Sequence, residues 1–260
     1  MKAAMLIIDM QNDFASNEGA LYVDGAEDDI QRTIRFIQKN GEGVNTIYLT
    51  SDDHHVMDIS HPGFWKDQNN ENPEPMTPIS YEDIKNGKWE PVFNREEAIT
   101  YVRALEENGE FGHVIWPEHC IMGTRGAAIA EDLMEVVRAW ARQGKYFHMI
   151  RKGSNPMTEH FGVFRANIPI PGKPETQKNK ALLNELSNFS EIYVAGEAKS
   201  HCVANTIKQL FDYPYILKKI TILEDCMSDI KGFEKESTPI YEEAKSRGVR
   251  IARSEERLTN

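Results

Sequence analysis

Cysteine is scarce in this 260-residue chain: Cys120, Cys202 and Cys226 are the whole set. So sparse and odd a complement argues against a disulfide scaffold, leaves at least one thiol free and favours a reducing, cytoplasmic setting. Long hydrophobic runs are missing too. The first apolar stretch, Ala3–Ile8, stops at Asp9, too short for a bilayer span or a secretory core, so neither a membrane partner nor a targeting signal is expected. Positive charge is in deficit: 30 Lys and Arg stand against 41 Asp and Glu, a net −11, the wrong sign for gripping a phosphate backbone. Nucleic acid is therefore not an expected partner. Internal repeats and low-complexity tracts are also lacking. What remains is a chain with 40% hydrophobic residues, enough for one sizeable core and one domain spanning residues 1–260.

Short runs rich in Ile, Val and Tyr alternate with segments at helical spacing, the pattern of strand–helix–strand units around a parallel sheet. Strands are expected at Ala3–Ile8, Val44–Thr50, His113–Trp116, Tyr146–Ile150, Glu191–Ala195, Ile220–Leu223 and Val249–Ala252. Ile30, Ile34 and Ile37 form one helical stripe that ends at Gly41. Further helices are expected at Glu96–Asn108, Ala127–Gln143, Lys178–Leu186, Cys202–Leu210 and Phe233–Arg247. Two proline-rich stretches break the rhythm, His61–Asn94 and Asn155–Pro174, and read as excursions from the sheet.

In open α/β sheets, ligands collect at the carboxyl ends of the strands. Five predicted strand ends carry a reactive group: Asp9, Asp52 with His54, His119 with Cys120, Lys152, and Cys202. A lone cysteine is most often structural, but Cys202 falls at a predicted helix start, where amide hydrogens and the helix dipole favour a thiolate. Asp9 is placed to act as the base a thiol nucleophile needs, and Lys152 is a cation able to hold both groups ionised. Asp52 and His54 lie two apart on an extended segment and share one side, with His119 as a third donor. Two His and one carboxylate with open positions suit Zn²⁺, Fe²⁺ or Mn²⁺, though Asp53, His55, Asp58 and His61 are also near in sequence.

These residues resemble the isochorismatase-like cysteine hydrolase superfamily, and within it the nicotinamidase branch. The likeness runs through Asp9-Met10-Gln11-Asn12-Asp13-Phe14, Asp52-Asp53-His54, Trp116-Pro117-Glu118-His119-Cys120, Lys152-Gly153 and Gly196-Glu197-Ala198-Lys199-Ser200-His201-Cys202. It implies a three-layer α/β/α sandwich with a central, mostly parallel sheet. It also implies Asp9, Lys152 and Cys202 as catalytic triad and Asp52, His54 and His119 as ligands of a divalent metal, with zinc foremost. The oxyanion hole would comprise the amides of Ala198 and Cys202 around a cis Glu197–Ala198 peptide. Phe14, Trp116, Glu197 and His201 would line the substrate pocket. The implied activity is hydrolysis of nicotinamide or a related small heteroaromatic carboxamide through a thioester, in a homo-oligomer.

The chain departs from the family pattern in several places. His55 replaces a proline, Asp58 stands where some members place another histidine ligand, and Ser200 replaces an aspartate. Glu197 replaces an aliphatic residue, and an acid there would select a cationic or hydrogen-bond-donating substrate if it faced the pocket. His160-Phe161-Gly162-Val163-Phe164 also differs from the usual Ser-Tyr-Ser-Ala-Phe. Two alternatives follow: a superfamily hydrolase of another small amide or ureido compound, and a metal- or ligand-binding protein without turnover.

Overall fold

The computed structural model describes residues 2–256; the ends of the expected 1–260 span lie outside the described residues. Strand β1 (Ala3–Ile8) is buried along its whole length, because both faces of the sheet are covered, and this is why it reads as a continuous apolar run. Helix α1 (Asn12–Ala15) and helix α2 (Ala26–Asn40) follow, then β2 (Val44–Asp52). Acidic Glu27, Asp28 and Asp29 occupy the first turn of α2 and Lys39 its last, matching the helix dipole. Next come β3 (Trp65–Lys66), α3 (Tyr81–Lys85), β4 (Glu90–Pro91) and α4 (Arg95–Glu107), then α5 (Glu131–Ala141) and β5 (Tyr146–Lys152). The chain closes with α6 (Lys180–Leu186), β6 (Glu191–Gly196), α7 (Ala204–Gln209), α8 (Pro214–Leu217), β7 (Ile220–Leu223), α9 (Thr238–Ser246) and β8 (Arg250–Ala252).

Six strands form one parallel sheet in the order β5-β2-β1-β6-β7-β8. Ala3, Met5 and Ile7 of β1 pack on one side against α2 and α5; Ala4, Leu6 and Ile8 pack on the other against α6, α7 and α9. The expected three-layer α/β/α sandwich is therefore present. The chain first winds outward from β1 to β2 and β5, then returns beside β1 with β6 and winds the other way. The crevice between β1 and β6 is the switch point, and the groups after both strands converge there.

The expected strand at His113–Trp116 does not join this sheet. It is extended, but its hydrogen bonds go to the excursion: Ile79 N donates to His113 O at 3.0 Å, and Ile115 N donates to Thr77 O at 2.9 Å. A four-residue apolar run suits any buried extended segment, and here it belongs to a third core formed by Ile59, Phe64, Trp65, Ile79, Ile84, Tyr101 and Ile115. The 61–94 excursion thus carries the β3–β4 pair and α3 and is packed against α4. Helix α5 begins at Glu131 rather than Ala127, because 126–130 bonds back to the β1–α1 segment, with Asn12 N on Ala128 O and Ala130 N on Met10 O, both 2.9 Å. The last long helix begins at Thr238, with a proline in its first turn, rather than at Phe233.

Candidate active site

Asp9 follows β1 in a left-handed conformation, φ 47°, which turns its carboxylate out of the strand and over the sheet edge. Thr50 of β2 holds it: the hydroxyl donates to Asp9 Oδ1 at 2.5 Å and accepts from Asp9 N at 3.0 Å. Lys152 ends β5, in register with Asp52 at the end of β2. A long side chain is needed here, because β2 lies between β5 and β1 in the sheet. The Lys152 ammonium reaches across to Asp9 Oδ2 at 2.8 Å, Asp52 Oδ1 at 3.0 Å and Cys202 Sγ at 3.7 Å. Cys202 comes from the opposite side, on a π-type turn, Lys199–Val203, that leads from β6 into α7. Three distant stretches therefore bring carboxylate, ammonium and sulfur together, all buried.

Burial alone would drive the Lys152 ammonium towards neutrality, but Asp52 and Asp9 override it and hold the side chain charged well into the alkaline range. For Asp52, burial is likewise overridden, by Lys152 and then His54, and its carboxyl stays well below the ordinary range. Asp9 goes the other way. Burial raises it more than Lys152 lowers it, and the Asp52 charge adds to the rise, as suits a group that must take up a proton. The expectation of a thiolate favoured by the helix start is corrected: burial pushes the Cys202 thiol well above its usual value, Lys152 pulls it down, and Asp9 and Asp52 oppose that pull. The resting sulfur is favoured as a thiol, with an Asp9 carboxylate oxygen within 4.8 Å.

Beside this cluster lies a group of histidines. Asp52, His54 and His119 each offer a donor atom within 4.8 Å of the others. His54 Nδ1 faces Asp58 Oδ2 at 3.1 Å, and His119 Nδ1 faces the Pro117 carbonyl at 2.8 Å. Each contact fixes its ring through Nδ1, the arrangement by which a carboxylate or carbonyl orients a metal-binding imidazole. His54 Nε2 is buried and faces Asp52 Oδ2 at 3.2 Å. Burial, with His54 and His61 nearby, keeps the His119 ring neutral. A buried set of two oriented imidazoles and one carboxylate fits a divalent ion. Asp58 is thus the orienting partner of His54. His61 adds a third ring, its centroid 5.1 Å from His54 and 5.3 Å from His119.

A narrow cavity opens over both clusters, walled by Phe14, Leu21, Trp116, Phe161, Ala198, His201 and Ile230, with Asp52, His119 and Cys202 in its lining. Phe14, Trp116 and His201, expected in a substrate pocket, line this cavity. Glu197 is not in the lining, which corrects its expected place. It is fully buried, and its Oε2 accepts from Ser228 N at 3.2 Å, away from the cavity. The Glu197–Ala198 peptide is cis, and Ala198 N has no acceptor among the described residues. Burial lowers His201 to about 4, leaving a neutral ring whose Nδ1 meets the Ser200 hydroxyl at 2.9 Å.

Phe161 and Ile230 were given no pocket role from the sequence, and Gln11 and Asp13, noted after β1, were given no contact. Phe161 comes from the second proline-rich excursion and Ile230 from a loop after β7; nothing local marks either. Gln11 gives a usable signal: it lies two residues beyond Asp9, and its amide exchanges hydrogen bonds with the Asp52 backbone, 2.7 Å in each direction. Asp13 accepts from Cys120 N at 2.6 Å and so fixes the loop that carries His119.

No family model matches the chain. The nicotinamidase of Saccharomyces cerevisiae is 25% identical over 247 residues, which are 95% of this chain and 97% of that protein. Over nearly its whole length the chain is similar to a nicotinamidase. Among solved structures, the yeast nicotinamidase bound to the inhibitor nicotinaldehyde shares the fold with a TM-score of 0.68 at 23% identity, covering 97% of this chain and all (100%) of that one. The pyrazinamidase of Pyrococcus horikoshii in complex with zinc gives 0.56 at 22% identity, covering 96% and 98%. The three-layer α/β/α fold is accordingly the one these amidase structures share.

Proposed function

We propose that this amidohydrolase cleaves the carboxamide of nicotinamide or a closely related heteroaromatic amide, with Cys202 as nucleophile, Asp9 as proton carrier and Lys152 as the cation that holds them. The observation carrying this reading is the Lys152 ammonium, 2.8 Å from Asp9 and 3.7 Å from the Cys202 sulfur, under a cavity walled by aromatic rings. As Cys202 attacks the carbonyl carbon, its proton passes to Asp9, whose raised affinity for protons suits it to the task. Negative charge on the carbonyl oxygen is met by the backbone amides of Ala198 and Cys202. Asp9 then returns the proton to the departing nitrogen, the C–N bond breaks, and ammonia leaves with the acyl group held as a thioester. Asp9 next takes a proton from water as its oxygen attacks the thioester, which frees the carboxylic acid and restores the thiol.

Phe14 and Trp116 give the ring of the substrate two aromatic faces, and neutral His201 gives a polar edge. Asp52, His54 and His119 would hold the divalent metal, with Asp58 and the Pro117 carbonyl fixing the two imidazoles. When bound, the metal supplies a Lewis-acidic point that orients a ring nitrogen; zinc is the first candidate and Fe²⁺ or Mn²⁺ the others.

The test is an ammonia-release assay across nicotinamide, pyrazinamide, small ureides and aliphatic amides. Turnover confined to the heteroaromatic amides supports the proposal. Turnover of ureides or aliphatic amides alone transfers the same chemistry to the other hydrolase reading.

A further inference from the structure

Glu197 is buried beside the Cys202 turn with no cation assigned to it. Its Oε2 accepts from Ser228 N at 3.2 Å, while Oε1 has no donor among the described residues. Next to it lies Asp29 of α2, also buried, and both Asp29 oxygens are already supplied: Oδ1 from Arg32 Nη2 at 2.6 Å and Oδ2 from the Ser228 hydroxyl at 2.5 Å. Ser228 bridges the two carboxyl groups, its amide on Glu197 and its hydroxyl on Asp29. Two buried carboxylates cannot share that space with one guanidinium between them, and a buried acceptor without a donor is costly. A proton on Glu197 resolves both, because a neutral carboxylic acid donates where a carboxylate only accepts.

We propose that Glu197 is held as a neutral acid donating to Asp29, and that this acid pair is a positioning device for the nucleophile turn. The proposal rests on the reading of that turn as catalytic. Ser228 is the joint of the device. Its amide meets Glu197, its hydroxyl meets Asp29, and its carbonyl accepts from Lys199 N at 2.8 Å, at the start of the Cys202 turn. The same loop is tied on either side, by Gly196 N on Cys226 O at 3.0 Å and by Ile230 N on the Ser200 hydroxyl at 3.0 Å, and Ile230 itself walls the cavity. Helix α2 is thereby connected to the turn that presents the sulfur.

Other ionisable groups surround the pair. Arg32 lies on α2, Cys226 and Asp229 on the loop after β7, Lys199 on the turn and Tyr241 on α9. Lys199 is engaged with Asp229 at 3.3 Å, and Tyr241 donates to the Lys199 carbonyl at 2.7 Å, so neither compensates a charge on Glu197. Burial first, then Asp29, pushes the Glu197 acid well above the ordinary carboxyl range. Folding therefore favours the protonated form: the contribution is complete below the unfolded value, about 4.3, and is lost as pH rises through the higher folded value.

The variants Glu197→Gln and Glu197→Ala test this. Glutamine reproduces the neutral acid, giving an N–H to Asp29 and a carbonyl to Ser228. It should keep kcat within about threefold of the parent and hold both activity and thermal midpoint to higher pH. Alanine should lower kcat about 10- to 100-fold with KM little changed, as expected when a turn is misplaced rather than a contact to substrate lost. An infrared difference spectrum at pH 8, parent minus Glu197→Gln, should show the carbonyl band of a protonated carboxyl group. This spectrum reads the pair whether or not nicotinamide is the substrate. A missing band, or a glutamine variant as impaired as the alanine one, overturns the proposal.

Discussion

Two buried polar clusters sit side by side at the carboxyl edge of the sheet and balance their charge in different ways. Around Cys202, two carboxylates and a thiol enclose the Lys152 ammonium, so the chain supplies its own cation. Around His54 and His119, a carboxylate and two oriented imidazoles turn their donor atoms towards one another, and His61 Nε2 has no hydrogen-bond partner among the described residues. Asp52 belongs to both, with Oδ1 on Lys152 and Oδ2 at 3.2 Å from His54 Nε2. On the proposed reading, the first cluster moves a proton within a closed set of groups and the second receives an ion from outside.

Cys202→Ala removes the proposed nucleophile from the self-balanced cluster and should lower kcat by about 10⁴-fold or more, leaving metal content and thermal midpoint near the parent values. Residual activity within tenfold of the parent would end the assignment. Lys152→Met leaves Asp9 and Asp52 facing each other without their cation and should destabilise folding by about 3–5 kcal/mol in urea titrations. Because Lys152 is raised on folding, its stabilisation is complete below about pH 10.4 and is lost only as pH rises through the higher folded value, so the deficit should be equal at pH 6 and pH 9. A deficit that vanishes by pH 9 would contradict this balance of charge. Asp58→Asn should weaken metal affinity about 10- to 100-fold, measured by competition with a chromogenic chelator, because His54 loses its orienting carboxylate. An unchanged affinity would remove His54 from the donor set. The smallest effect is expected from Thr50→Val, which deletes one hydrogen bond to Asp9 and should lower kcat/KM about tenfold, corresponding to ~1.4 kcal/mol.

The same contrast explains how much of the molecule could be read from its residues. Asp9, Asp52 and Lys152 each stand at the end of an apolar run, so once the runs are taken as parallel strands the sheet itself gathers them. His119 was reached by a wrong route: the run before it is extended but belongs to the excursion core, and only its loop, held by Asp13, brings the ring to His54. Glu197 shows the limit in the other direction. Its position in the chain suggests the pocket, whereas its side chain turns towards Asp29 and Ser228, residues 168 positions before and 31 after it. Phe161 and Ile230 reach the cavity from loops whose paths depend on long-range packing, which no local periodicity encodes.

Elemental analysis of the purified protein and two variants tests the contrast most directly. The account predicts about one divalent ion per chain in the parent and in Cys202→Ala, and a marked loss in His54→Ala. A parent protein without bound metal, or a Cys202→Ala protein that loses the ion while His54→Ala keeps it, would contradict the division of labour between the two clusters.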